Sequence, residues 1–238
     1  MGKLLILLFS AGKLGKLLTT GGTMLFSMLA YSWIFGWPYA VGFVLLIFCH
    51  EMGHYLAAKQ RGLNVGAPTF IPFVGAWIEL KDQPLNVETE AYVGFAGPIV
   101  GSAAALVCFV LAREYNSQLL LALAYSGFML NLFNLIPVSP LDGGRITAII
   151  SPKVWLLGIP LLAALFFYHP SPMLILIAVL AYPQLKIAWD HFRHGNPDET
   201  SEYSNTPLNT RVNYGVLYLG MIVFLSMMTY SLHAELGR

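Results

Sequence analysis

Tyr39-Ala-Val-Gly-Phe-Val-Leu-Leu-Ile-Phe-Cys-His-Glu-Met-Gly-His-Tyr-Leu-Ala-Ala-Lys-Gln60 decides how this chain is read. Its first eleven residues are apolar or small, a helix-length start on a membrane span, and then His50, Glu51 and His54 fall inside the same apolar segment. Ionisable groups within a span are expensive, so such a cluster needs partners or a function. Working outward, uncharged stretches recur at 91–112, 115–141, 154–185 and 212–234, and the stretch that leads into the quoted segment is uncharged from Leu17. About 20 apolar residues cross the hydrocarbon core as a helix. Over 238 residues the chain is 57% hydrophobic and only 11% charged, against about a quarter charged in soluble domains. The expectation is an all-α polytopic membrane protein.

The spans divide into six or seven transmembrane helices. The first runs from about Gly22 to Phe35 and ends at Gly36-Trp37-Pro38. The quoted segment is the second, and the third and fourth cover about Ala91–Ala112 and Ser117–Ile136. Residues 154–185 are too many for one helix, and His169-Pro170-Ser171-Pro172 divides them into a tight pair. The last helix covers about Val212–Leu232. After the second helix, Gly66-Ala-Pro-Thr-Phe-Ile-Pro-Phe-Val-Gly75 cannot be a regular helix and reads as a short re-entrant β-hairpin-like loop.

The expected domains are an interfacial amphipathic segment at 1–21, a core at 22–194, a polar linker at 195–211 and a C-terminal transmembrane helix at 212–238. No cleavable signal peptide is expected, because Lys13 and Lys16 stand where small residues should. With the N-terminus inside, seven crossings put every Lys and Arg except Arg113 and Arg238 on the cytoplasmic side. Small size and the lack of a eukaryotic targeting signal point to a prokaryotic cytoplasmic membrane. The net charge of +1 and the lack of a basic cluster give no reason to expect a nucleic-acid partner. Cys49 and Cys108 lie in apolar spans and behave as small hydrophobes rather than as a disulfide.

His50 and His54, at i and i+4, project from one helix face, a spacing that suits zinc, and Glu51 stands on the neighbouring face. Zinc lowers the pKa of bound water to roughly 7, and a carboxylate base can then take its proton. Chance also produces such five-residue matches; the bilayer setting favours the metal. A catalytic site needs a third protein ligand. Asp142, in Asn134-Leu-Ile-Pro-Val-Ser-Pro-Leu-Asp-Gly-Gly-Arg145, is the best candidate, closing an uncharged helix at the depth of the histidines. Asp190 and Glu79 are weaker candidates, and Asp142 before two glycines also fits an ordinary turn.

The pair of segments, His50-Glu51-Met52-Gly53-His54 and Asn134-Leu-Ile-Pro…Leu141-Asp142-Gly143-Gly144, resembles the two signatures of the site-2 protease family of intramembrane zinc metalloproteases. Gly97-Pro98, opening the third helix, and the six-helix layout extend the resemblance over most of the chain. It implies one zinc held by His50, His54 and Asp142, with Glu51 as the catalytic carboxylate. It also suggests Asn134 as a substrate or oxyanion contact, for which an interhelical hydrogen bond is the equal alternative. The implied partners are a transmembrane protein substrate and the lipid bilayer, with the active site opening to the cytoplasm; oligomeric state is not fixed. No segment is long enough for the PDZ or C-terminal regulatory domain that many family members carry. A membrane metal transporter or sensor is the alternative, although its ionisable groups would be spread along several spans rather than gathered at one depth. A pseudoenzyme that only binds membrane partners is the third reading, and Glu51 speaks against it.

Overall fold

The computed structural model describes residues 2–73, 75–77, 86–194 and 205–237. The chain folds into eight α-helices and one hairpin among these residues: α1 Gly2–Phe35, α2 Trp37–Gln60, β1 Thr69–Ile71, β2 Gly75–Trp77, α3 Val87–Tyr115, α4 Gln118–Asn134, α5 Asp142–Ala148, α6 Gly158–Tyr168, α7 Pro172–His194 and α8 Leu208–Leu236. A 3-10 helix, Pro152–Leu157, joins α5 to α6. By length and composition four helical segments among the described residues can cross a membrane: Trp37–Gln60, Val87–Tyr115, Pro172–Asp190 and Leu208–Leu236. Gln118–Asn134 and Pro152–Tyr168 are apolar but shorter.

Local chemistry sets the joints. Gly36, at φ 81°, turns α1 into α2, and Pro38 sits in the first turn of α2 where its missing N–H costs nothing. The break at 169–171 divides α6 from α7, as the prolines require. Asn86 caps α3 by accepting from the Thr89 N–H at 2.8 Å. Asn116, left-handed at φ 48°, ends α3, and Ser117 at once caps α4 by accepting from the Leu120 N–H at 3.3 Å. A two-residue joint therefore folds α4 back on α3.

The structure corrects three details of the sequence reading. Helix α1 runs unbroken from Gly2 to Phe35, with no backbone break near residue 21. Gly97-Pro98 lies inside α3 rather than opening it, because the polar cap at Asn86 starts the helix earlier. Asp142 does not close α4; a loop after Asn134 intervenes, and Asp142 begins the separate helix α5. Most of the expected linker, 195–204, lies outside the described residues, and Leu208–Arg211 already belong to α8.

Helices α2, α3 and α4 pack together at the centre, α1 lies against α2 and β1, and α8 lies against α4. With lipid outside, no hydrophobic force draws such helices together, and close approach depends on small residues. Gly53 on α2 meets backbone: a Cβ there would overlap the carbonyl of Ala96 on α3. Most of α8 is left apolar and outward, with Leu217, Leu219 and Val223 all more than half exposed.

Gly53→Ala should therefore lose roughly 1–3 kcal/mol of stability through overpacking. Gly220→Ala on α8, where a Cβ meets nothing within 4 Å, should be neutral or slightly stabilising. Denaturant titration of both variants in detergent checks this, and equal losses would contradict the packing.

Candidate metal centre

His50 and His54 are one helical turn apart on α2, and both are buried. Their Nε2 atoms lie 3.1 Å apart. Asp142, at the start of α5, points its carboxylate between them, with Oδ2 3.1 Å from His50 Nε2 and Oδ1 3.1 Å from His54 Nε2. Among the described residues these three form a group able to hold a metal ion, their candidate ligand atoms all within 4.8 Å of one another.

The hydrogen bonds around the rings decide what the group can bind. His54 Nδ1 is 2.7 Å from the Val93 carbonyl oxygen, which only accepts, so Nδ1 carries the hydrogen. His50 Nδ1 is 2.8 Å from Asn131 Oδ1. The Asn131 amide nitrogen already donates to the Gly127 carbonyl at 2.7 Å, so Oδ1 is free to accept and His50 Nδ1 also carries its hydrogen. In the neutral rings both Nε2 atoms then offer lone pairs, to each other and to a carboxylate. Asp142 Oδ2 is buried with no hydrogen-bond partner among the described residues. Three acceptors with no proton between them fit a cation. Tetrahedral zinc, with bonds of about 2.0–2.1 Å, spreads its ligand atoms about 3.3–3.4 Å apart, close to the separations seen.

Backbone packing brings the rings to this point. Gly97 on α3 lies against the His54 imidazole, and a Cβ there would overlap the ring. Gly101, one turn on, makes the same room for the Asn131 amide. The Gly97-Pro98 pair noted in the sequence thus has a steric reason at its glycine. Asn131 was not anticipated: it is 1% exposed, and as one of few amides in an apolar helix its only sequence signal is polarity. Its place on the far nitrogen of a candidate ligand histidine is a common way of fixing tautomer and ring orientation.

Glu51 is buried and faces the same cavity as the histidines and Asp142, a space of about 1420 Å³. Asn134, at the end of α4, also lines this cavity, half-buried. Asp190 is exposed on α7 and does not join the metal group, and Glu79 lies outside the described residues. The hairpin forms one side of the cavity. Its register is Thr69↔Trp77, Phe70↔Ala76 and Ile71↔Gly75. Strand β1 is tied to α1, where Thr23 Oγ1 accepts from the Phe70 N–H at 3.2 Å and Thr20 Oγ1 donates to the Pro68 carbonyl at 2.7 Å. Gly75 and Ala76 of β2 line the cavity instead.

The family model described as Peptidase family M50 matches residues 38–118. A zinc metalloprotease of Methanocaldococcus jannaschii is 35% identical over 124 residues, covering 48% of this chain and 36% of that one. A Synechocystis protein named as a zinc metalloprotease is 33% identical over 123 residues, with 48% of this chain and 31% of that one covered. A second M. jannaschii protein of that name is 28% identical over 178 residues, covering 59% of this chain and 90% of that protein. The solved structure of a site-2 protease from M. jannaschii aligns with a TM-score of 0.46 at 24% identity, over 73% of this chain and 86% of that one. The chain spans about a third of the length of the first relatives it matches. The matched family model, together with the zinc metalloprotease relatives, bears out the likeness first drawn from the two motifs: the chain resembles the site-2 protease family, Peptidase family M50.

Proposed function

We propose that this chain is an intramembrane zinc metalloprotease that cleaves peptide bonds in or near a transmembrane segment of its substrate. The single observation that carries the reading is the convergence of His50 Nε2, His54 Nε2 and the Asp142 carboxylate, all within 3.1 Å neighbour distances, beside a buried glutamate on a cavity wall. His50, His54 and Asp142 would hold the zinc. When bound, zinc acts as a Lewis acid toward the scissile carbonyl and makes water a nucleophile near neutral pH.

The chain's own residues supply the rest. Glu51, one residue from a ligand, takes the proton of the attacking water and returns it to the leaving amine. Its carboxylate faces the same cavity as the three candidate ligands. Asn131 and the Val93 carbonyl keep both rings with Nε2 turned toward Asp142. Asn134, on the cavity wall, is an available contact for the substrate or for developing oxyanion charge. The β2 strand of the hairpin offers its backbone to an unwound substrate by strand addition, since a transmembrane helix otherwise keeps its peptide bonds in its own ladder.

The protein is read as an integral membrane protein of a prokaryotic cytoplasmic membrane, with six or seven crossings and its N-terminus and active-site opening on the cytoplasmic side. The four long apolar segments and the two shorter ones support that count, and the Lys/Arg asymmetry supports the orientation. A transporter or sensor is less well supported, because the buried His and Asp groups gather at one centre.

Glu51→Gln should keep its zinc and lose cleavage of a membrane-spanning peptide by at least about a hundredfold, the scale of general base catalysis. Proteoliposomes of the wild type should cleave that peptide and take up no zinc. An active Glu51→Gln variant would sink the base assignment, and zinc uptake without cleavage would favour the transporter. Proline placed in turn at Gly75, Ala76 and Trp77 should slow cleavage at unchanged zinc content; cleavage at the wild-type rate in all three would exclude strand addition at β2.

A further inference from the structure

Asp142 is reached through a segment with little internal support. Between the end of α4 and the start of α5, Pro137 and Pro140 have no N–H to give. The backbone bonds that do form here are short-range, such as Val138 N–H to the Ile136 carbonyl at 2.7 Å and Leu141 N–H to the Val138 carbonyl at 2.9 Å. Nothing in that local pattern fixes the direction from which Asp142 approaches two histidines on another helix.

Three side chains from three other elements grip the segment. The Tyr218 hydroxyl, on α8, donates to the Leu135 carbonyl, an orphan acceptor at the end of α4. The Ser139 N–H donates to Gln184 Oε1 on α7. Trp155 Nε1, in the 3-10 helix, donates to the Gly144 carbonyl at 2.9 Å. Gly143 completes the grip from inside, because its Cα rests on the carbonyls of Leu135 and Ile136, where a Cβ would overlap both. The grips fall before, within and just after the segment, so they define its position on both sides of Asp142. Tyr218 is 5% exposed on a helix whose neighbouring residues Leu217 and Leu219 face outward. Tyr218 also lines the cavity beside the metal group, and its hydroxyl is spent on the Leu135 carbonyl.

We propose that Tyr218, Gln184 and Trp155 are positioning residues for the Asp142 carboxylate, so that the three C-terminal elements set how tightly the centre holds its metal. This rests on the reading that His50, His54 and Asp142 are the ligands. Apolar packing of Val138 and Leu141 against α6 and α7 holds the segment's depth, while the three hydrogen bonds set the direction of its backbone toward the histidines. Outer partners of metal ligands typically govern 10–100-fold in affinity. Each grip acts through backbone rather than on the carboxylate itself, so about tenfold per grip is the expected size.

The test is zinc affinity by chelator competition in detergent, with unfolding followed in parallel on the metal-free protein. Tyr218→Phe and Trp155→Phe keep the ring and remove the donor; each should weaken zinc about tenfold. Leu225→Ala, two turns along α8 at a fully buried position, removes apolar packing but no hydrogen bond to the segment and should lower stability at unchanged zinc affinity. Wild-type zinc affinity in both donor variants would overturn the proposal, as would an equal loss in Leu225→Ala, which would make the effect one of general packing. A wild type that binds no zinc would overturn the ligand reading and this proposal together, an outcome distinct from tight zinc in wild type and donor variants alike.

Discussion

Two imidazole nitrogens and a carboxylate meet in a buried space, and with both rings neutral they have no hydrogen to share; the rest of the structure depends on what resolves that conflict. The Val93 carbonyl and Asn131 take up the Nδ1 hydrogens of His54 and His50. The lone pairs that remain all point inward. Left without a cation, an unpaired buried carboxylate costs several kcal/mol. With one, the same three groups become its cage, and the expense of ionisable groups inside an apolar bundle is offset.

The helical scaffold reads as the means of making that meeting possible. Helix α2 carries two candidate ligands at one-turn spacing, which needs no tertiary help. Bringing the third from another element requires α2, α3 and α4 to approach more closely than ordinary side chains permit, and Gly53, Gly97 and Gly101 remove the Cβ atoms that would prevent it. The same closeness leaves room beside the centre for a large cavity, walled by the hairpin on one side and by residues of α8, Tyr218 among them, on another. The α2–α3–α4 core thus places the two histidines, α5 brings Asp142 to them, and the peripheral elements shape the space around the candidate centre.

Much of this was legible in the residues because the bilayer imposes strong rules. A run without charges, a proline pair, or a Gly-Trp-Pro turn each has few structural meanings, and the α1–α2 joint and the α6–α7 break fall where those signals put them. The His50/His54 pair was legible for the same reason: two ionisable rings one turn apart in an apolar helix are hard to explain otherwise. Boundaries that depend on polar caps were less visible. Asn86 starts α3 before its charges end, and the Asn134–Leu141 loop displaces Asp142 onto its own short helix. Asn131, Gln184, Tyr218 and Trp155 could not be read as a group, because a lone polar atom in an apolar helix has no periodicity, and only the fold reveals which acceptor or ring it meets. The span count also outran local pattern, since Gln118–Asn134 and Pro152–Tyr168 are apolar yet short.

The central claim is that one zinc is held by two histidines and one aspartate. X-ray absorption at the zinc edge, on protein purified in detergent and loaded to saturation, tests it most directly. The expected result is one zinc per chain with two imidazole nitrogens and the remaining ligands oxygen, at about 2.0–2.1 Å, and loss of the metal in Asp142→Ala. A sulfur shell, which would draw in Cys49, or an unchanged zinc spectrum and stoichiometry in Asp142→Ala, would contradict it.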